Sequence, residues 1–171
     1  MKLEIRSERY FDQYRQYCRE FWEADVRYFR PTNPERLDDG WFLRTKAWYD
    51  EKMRGERYPH SLYYDAVEDG QFIGEFQLRL VMDENIMNGI GSVGYSVRIC
   101  HQGRGYGREI LRQGLDIARE NGLNRVLLNI NDANVPSIKV CEAMGGVLQD
   151  IILTENAYEG RHLMRRYWIE I

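Results

Sequence analysis

The chain reads as an α+β domain built on a mixed sheet. Three features of its 171 residues carry that reading. The first is the order of its apolar periodicities: strand, two helices, antiparallel strands, a β-α-β crossover, another helix and terminal strands. The second is an Asp69-Gly70 turn between two strand-like runs. The third is a glycine-rich junction, Gln102-Gly103-Arg104-Gly105-Tyr106-Gly107, standing where a strand passes into a helix.

The elements follow in order. Residues 2–6 alternate like a short strand. Tyr10, Tyr14, Tyr17, Cys18, Phe21 and Trp22 then recur at helical spacing until Pro31 and Pro34 stop it. A second helical stretch over about 35–53 carries Leu37, Trp41, Ala47, Trp48 and Tyr49. Strands over 62–67 and 72–82 flank Glu68-Asp69-Gly70-Gln71, whose Asp-Gly pair suits a type I′ hairpin turn. Strict alternation along the longer strand puts Phe72, Gly74, Phe76, Leu78, Leu80 and Met82 on one face. Glu75, Gln77 and Arg79 then form a polar face suited to line a site. After a loop over 83–91, Val93, Tyr95, Val97 and Ile99 alternate with Gly94, Ser96 and Arg98 as a half-buried strand.

The helix beyond the glycines gathers Ile110, Leu111, Gly114, Leu115, Ile117 and Ala118 on one side. Arg108, Glu109, Arg112, Gln113, Asp116 and Arg119 fall on the other, and Asn121-Gly122 is a good helix stop. Residues 126–130 are nearly continuous apolar, as expected of a strand buried on both faces after a crossover helix. Pro136 suits the first turn of the next helix, with Asn134 as its cap and Gly145-Gly146 as its end. Strands over about 147–153 and 163–171 close the chain.

Global numbers set limits. No Pro/Gly/Ser-rich linker, repeat or low-complexity run divides residues 1–171, so a single domain is expected. A net charge of -3 and a pI near 5.7 argue against nucleic acid as a partner. The first residues are charged at once, and no run approaches the roughly 18 apolar residues of a membrane span. A soluble, cytoplasmic protein with no membrane partner is expected. Cys18, Cys100 and Cys141 show no Cys-x-x-Cys spacing, which fits a reducing compartment better than a disulfide framework or a zinc site.

A glycine-rich strand-to-helix junction is suited to hold phosphate. The first helical turn leaves N–H groups without partners, glycines let an anion approach, and the helix dipole adds attraction. Which phosphate ligand is narrowed by what is missing. No Lys followed by Ser or Thr follows the glycines, as a P-loop requires, and Arg108 or Ile110 stands where a dinucleotide fingerprint needs its third glycine. The spacing that fits is Gln-x-x-Gly-x-Gly.

That spacing resembles the pyrophosphate signature of the GNAT superfamily, the acyl-CoA-dependent N-acyltransferases. The resemblance runs from Gly94-Tyr95-Ser96-Val97-Arg98 through the motif and helix to Asn134-Val135-Pro136-Ser137-Ile138-Lys139 and Gly145-Gly146. The tail Arg165-Arg166-Tyr167-Trp168-Ile169, with 144–148, is similar to a group of bacterial predicted acetyltransferases. The resemblance implies a mostly antiparallel mixed sheet, splayed at a central parallel strand pair and flanked by helices. It implies acetyl-CoA as cosubstrate, no metal, and an amine acceptor. The backbone of Val97 and Ile99 would pair with pantetheine, and the N–H groups of Gln102, Gly103, Arg104, Gly105, Tyr106 and Gly107 would hold the pyrophosphate. Asn134 and Ser137 match positions that contact pantetheine or phosphate from the opposite side. Ile99 stands where many members carry proline.

Acyl transfer from a thioester to an amine needs a neutral amine, stabilisation of the oxyanion and a proton for the departing thiolate. A backbone N–H near Val97 could serve the oxyanion. Many family members place a tyrosine four residues after the second-motif serine; here that position is Cys141. Should Cys141 be a core residue, Tyr158, Tyr95 or water must supply the proton. Glu75 is the first choice of base, with His101 and His162 behind it. The expected activity is N-acetyl transfer from acetyl-CoA to a primary amine of a small molecule or protein, by direct attack in a ternary complex. A non-catalytic acyl-CoA-binding sensor or partner module is the competing reading. The large rings of the first fifty positions suit core or interface, which leaves a homodimer open.

Overall fold

The structure, a computed structural model, describes residues 1–171 except 27, 39, 42–60, 85, 157 and 158. Strand β1 (Lys2–Ile5) leads through a 3-10 turn into helix α1 (Phe11–Glu23). The hairpin β2 (Ser61–Glu68) and β3 (Gln71–Arg79) follows, then β4 (Val93–Val97), helix α2 (Tyr106–Glu120) and β5 (Arg125–Asn131). Helix α3 (Val135–Ala143) and the hairpin β6 (Val147–Asn156) and β7 (Gly160–Glu170) complete the chain. Of the helical stretch expected over about 35–53, a 3-10 turn at Pro34–Arg36 is present, and residues 42–53 lie outside those described. The loop before β4 holds a single π-helical turn at Ile86–Ile90. Among the described residues no helix is long and apolar enough to cross a membrane.

The strands form two sheets, ordered β1-β2-β3-β4 and β5-β7-β6, and every paired neighbour is antiparallel. They meet where β4 begins: Ser92 N–H donates to the Leu127 carbonyl at 2.8 Å, and Leu127 N–H donates to Ser92 Oγ at 2.7 Å. Beyond that point β4 and β5 share no ladder. Gly94 and Tyr95 then face Asn129 and Asn131 across a common cavity, so the two strands run the same way from their contact and part. The gap between them positions the site.

The β2–β3 turn has Asp69 at φ 49° and Gly70 at φ 76°, the double positive φ of a type I′ turn. A bulge then corrects the face assignment read from the alternation of β3. Val67 pairs with Phe72 but Ala66 pairs with Gly74, so Ile73 is the extra residue and the pleat changes side there. Phe72 therefore does not share a face with Phe76. It packs with Tyr14, Tyr17, Cys18 and Phe21 of α1 on one side of the sheet. Ile73, Phe76 and Leu78 pack on the other with Ile110, Leu111 and Leu115 of α2 and with Val126, Leu128 and Ile130 of β5.

Full burial of such aliphatic side chains contributes about 1.5–3 kcal/mol each. Gly114 lets α2 lie close, since a Cβ there would fall 2.1 Å from the Phe76 ring. Thus one sheet is covered on both faces, α1 on one and α2 on the other.

Candidate functional site

The glycine-rich junction forms as its sequence dictates. After β4 comes a 3-10 turn at Ile99–His101, then Gly103 at φ 75° and Gly105 at φ 85°, left-handed values that L side chains adopt only with strain. Gly105 is the N-cap of α2 and supplies no side-chain cap. Among the described residues, the N–H groups of 103–107 donate to no backbone carbonyl. A Cβ at Gly103 or Gly105 would meet nothing within 4 Å, so this run of unpaired amides stands bare. A cavity of about 430 Å³ opens beside it, lined by Gly105, Arg108, Glu109, Arg112, Ala143 and Met144, between the start of α2 and the end of α3.

The side chains here divide by partner. Arg98 is committed to Glu20 of α1 at 2.6 Å, and Arg112 to Glu109 at 2.7 Å and Asp116 at 3.1 Å. Hydrogen bonds from Arg112 and Gln113 hold the Glu109 carboxyl down to about 2. Arg104 and Arg108 are exposed. The Gln102 amide donates to the Val97 carbonyl at 3.1 Å, and the Tyr106 hydroxyl bonds Glu68, so both side chains turn to the protein. Asn134 caps α3, its Oδ1 accepting from Ser137 N–H at 3.3 Å.

Tyr95 and Cys141 lie deeper. Tyr95 lines the gap, and a Cβ at Gly107 would sit 3.6 Å from its ring. Its buried hydroxyl has no hydrogen bond of good geometry. Burial pushes the phenol well up, Ser137 of α3 draws it partly back, and Cys141 adds to the rise. Cys141 itself is fully buried, its Sγ so close to Gly146 that a Cβ there would lie 2.5 Å away. Burial raises this thiol to about 12.

The α1 face is built from side chains. Because of the bulge, Asp65 stands directly opposite Glu75 across the hairpin. Arg6 lies between them, 2.8 Å from Asp65 and 2.6 Å from Glu75, with its guanidinium 4.4 Å from the Tyr14 ring centroid. Tyr17 donates to Glu75 at 2.9 Å and meets Ser96 Oγ at 2.5 Å. Burial works against the Arg6 cation, but Glu75, Tyr14 and Asp65 outweigh it and its pKa lies well above the ordinary value. Burial raises Asp65 despite Arg6. The sequence reading missed this network, whose one signal was Asp65, a charge inside an otherwise apolar strand end.

Glu75, Gln77 and Arg79 line a cavity of about 550 Å³ on this face, with Tyr14 and Trp41 on the α1 side and Glu155, Glu159 and His162 from the β6–β7 hairpin. His162 Nε2 is 3.2 Å from Glu159, and its Nδ1 is 3.0 Å from the Gly160 carbonyl. Of the residues considered as bases, Glu75 and His162 therefore reach this cavity. His101 instead packs its ring edge-on against Tyr106 at the glycine junction. Tyr158 lies outside the described residues.

Residues 7–147 match the family described as an acetyltransferase (GNAT) domain. Streptothricin acetyltransferase from Streptomyces lavendulae is 33% identical over 67 residues, so the match spans 37% of this chain and 35% of that curated relative. Among solved structures, RimL, a ribosomal L7/L12 α-N-protein acetyltransferase in complex with coenzyme A, superposes with a TM-score of 0.75 at 15% identity, over 99% of this chain and 93% of that one. A spermidine N-acetyltransferase chimera involving the Vibrio cholerae enzyme superposes with a TM-score of 0.70 at 15% identity, over 99% and 96%. At such identities the structural likeness is one of fold.

Proposed function

The chain belongs to the GNAT acetyltransferase family, and from that premise we propose that it transfers an acetyl group from acetyl-CoA to a primary amine of a small molecule or protein, by direct attack in a ternary complex. One observation carries the reading. The bare amides of 103–107 follow directly on β4, whose Gly94 and Tyr95 line the cavity shared with β5, so a donor and an acceptor could meet there.

In this reading the N–H groups from Gly103 to Gly107 hold the pyrophosphate, the Gln102 N–H being already donated to the Ile99 carbonyl at 3.2 Å, and Arg104 and Arg108 add charge. The backbone of Val97 takes a pantetheine amide, with the Gln102 side chain leaving the Val97 carbonyl as the cofactor enters; Ile99, expected to do the same, lies past the end of β4 in a 3-10 turn with its carbonyl accepting from Gln102 N–H. Asn134 and Ser137 flank the arm from α3. Glu75 is the proposed base, held by Arg6 and Tyr17 at the cavity wall. An acceptor ammonium would lose its proton there before attack. The burial of Cys141 does not favour it as proton donor. Tyr158 stays a proposal from sequence.

A second reading, binding of acyl-CoA without turnover, draws on the cysteine at 141 and on the engagement of Glu75 by two partners. Thiol release from acetyl-CoA, followed across polyamines, amino acids, aminoglycosides and peptide N-termini, separates the two. Acetyl transfer predicts release above the buffer rate with at least one class, matched by one acetyl group gained on the amine. Silence across the panel, with acetyl-CoA still bound, would leave the sensor.

A further inference from the structure

We propose that Tyr95 of β4, rather than the residue at position 141, delivers the proton to the departing CoA sulfur; this rests on the acetyl-transfer reading above. The geometry points to it in three ways. Tyr95 is where the two sides of the site join: its ring is a neighbour of Gly107 in the glycine motif, and the same residue lines the 550 Å³ acceptor cavity beside Gly94. A thioester whose pyrophosphate sits at 102–107 and whose acyl group reaches that cavity passes Tyr95.

Its hydroxyl is also chemically unfinished. Buried hydroxyls are nearly always hydrogen-bonded, yet the polar neighbour of this hydroxyl, Ser137 of α3, does not meet it with good hydrogen-bond geometry. A polar ligand atom reaching the gap from the α2 side would satisfy it. Position 141, in contrast, offers a thiol with no exposed surface, packed on Gly146.

The step balances. The amine nitrogen bonds to the carbonyl carbon, and the carbon–sulfur bond breaks with its electron pair staying on sulfur. The Tyr95 O–H donates to that sulfur and its proton completes the free thiol of CoA. The proton released by nitrogen passes to the base and solvent, and solvent returns one to the phenolate. Burial raises this phenol, which keeps it protonated at neutral pH and also weakens it as an acid; the transfer is driven by the charge building on a thiolate that the same surroundings desolvate.

Tyr95→Phe tests this, with the most responsive amine of the panel. General acid catalysis contributes about 10²–10⁴-fold, so kcat should fall by about 100-fold or more while the acetyl-CoA Kd stays within about threefold. Melting temperature should hold or rise, because the substitution deletes an unsatisfied buried hydroxyl. An acetyl-CoA analogue with selenium in place of sulfur supplies a readout that a packing role would not move. Its selenolate leaves without a proton, and the deficit of the variant should shrink to a few fold. Undiminished kcat in Tyr95→Phe, a deficit equal for sulfur and selenium donors, or a comparable loss in Cys141→Ala would each overturn the assignment. Should the wild-type chain release no thiol with any amine, acetyl transfer itself falls and this inference with it; a working wild type with an unimpaired Tyr95→Phe sinks the inference alone.

Discussion

The two faces of the β1–β4 sheet present ligand-binding groups in opposite ways. On the α2 face the polar groups are backbone amides, bared by left-handed turns at Gly103 and Gly105 and backed by an apolar core. On the α1 face they are side chains, Arg6, Asp65, Glu75, Tyr17 and Ser96, already satisfied by one another. Under the proposed function, the difference separates an invariant ligand part from a variable one. A pyrophosphate can be held by any backbone of the right shape, whereas an acceptor is chosen by side chains that the rest of the fold must keep in place.

The most severe way to break the comparison is to remove the cation at the centre of the side-chain face. Arg6→Ala leaves Asp65 and Glu75 facing each other, with side chains only 3% and 16% exposed. Loss of one partner from a buried ion pair costs about 3–5 kcal/mol. Urea unfolding at pH 7 should show a loss of that size, and a loss under about 1 kcal/mol would mean the network is incidental. The pH dependence has a definite sign. Burial raises the Asp65 carboxyl, so acid protonates it early and removes the repulsion, and the deficit should be smaller near pH 4 than at pH 7.

Glu75→Gln keeps the shape of the side chain and removes its charge. If Glu75 is the base, kcat falls by about 10²-fold or more while acetyl-CoA binds as before, because the donor side shares none of these groups. An unchanged kcat would transfer the role to another group of the same cavity, with His162 the next to test. The smallest effect concerns the cysteines. Cys18 and Cys141 are fully buried and their thiols are raised to about 12, whereas Cys100 is exposed. Burial disfavours the thiolate, so native protein at pH 8 should take up one alkylating label, at Cys100, and three only when unfolded. Native labelling of Cys141 would show that the interior of α3 opens to the gap.

The same contrast explains what the sequence disclosed. The glycine motif, the Asn134 cap and the type I′ turn are local, each set by a few adjacent residues whose φ demands are written in glycine, asparagine and proline. They were legible, and so was the polar face at Glu75, Gln77 and Arg79. The bulge at Ile73 was not, because two adjacent apolar residues, Phe72 and Ile73, read equally well as one regular strand. That single inserted residue moves Phe72 onto α1 and sets Asp65 against Glu75, so the ion network depends on a register that alternation cannot reveal. The unsatisfied Tyr95 hydroxyl was hidden for a related reason. A tyrosine in a half-buried strand has an ordinary partner in most folds, and whether this hydroxyl finds one is decided by residues distant in sequence, Ser137 and Cys141 of α3.

Calorimetric titration with acetyl-CoA, run on the wild-type chain and on Gly105→Glu, tests the donor site most directly. A glutamate at 105 adds strain at a left-handed position and a negative charge beside the amides assigned to pyrophosphate. The account predicts a single site in the wild type and at least about 100-fold weaker binding in the variant, from a carboxylate set against phosphate charge. No heat of binding in the folded wild-type protein, or equal affinity in Gly105→Glu, would contradict it.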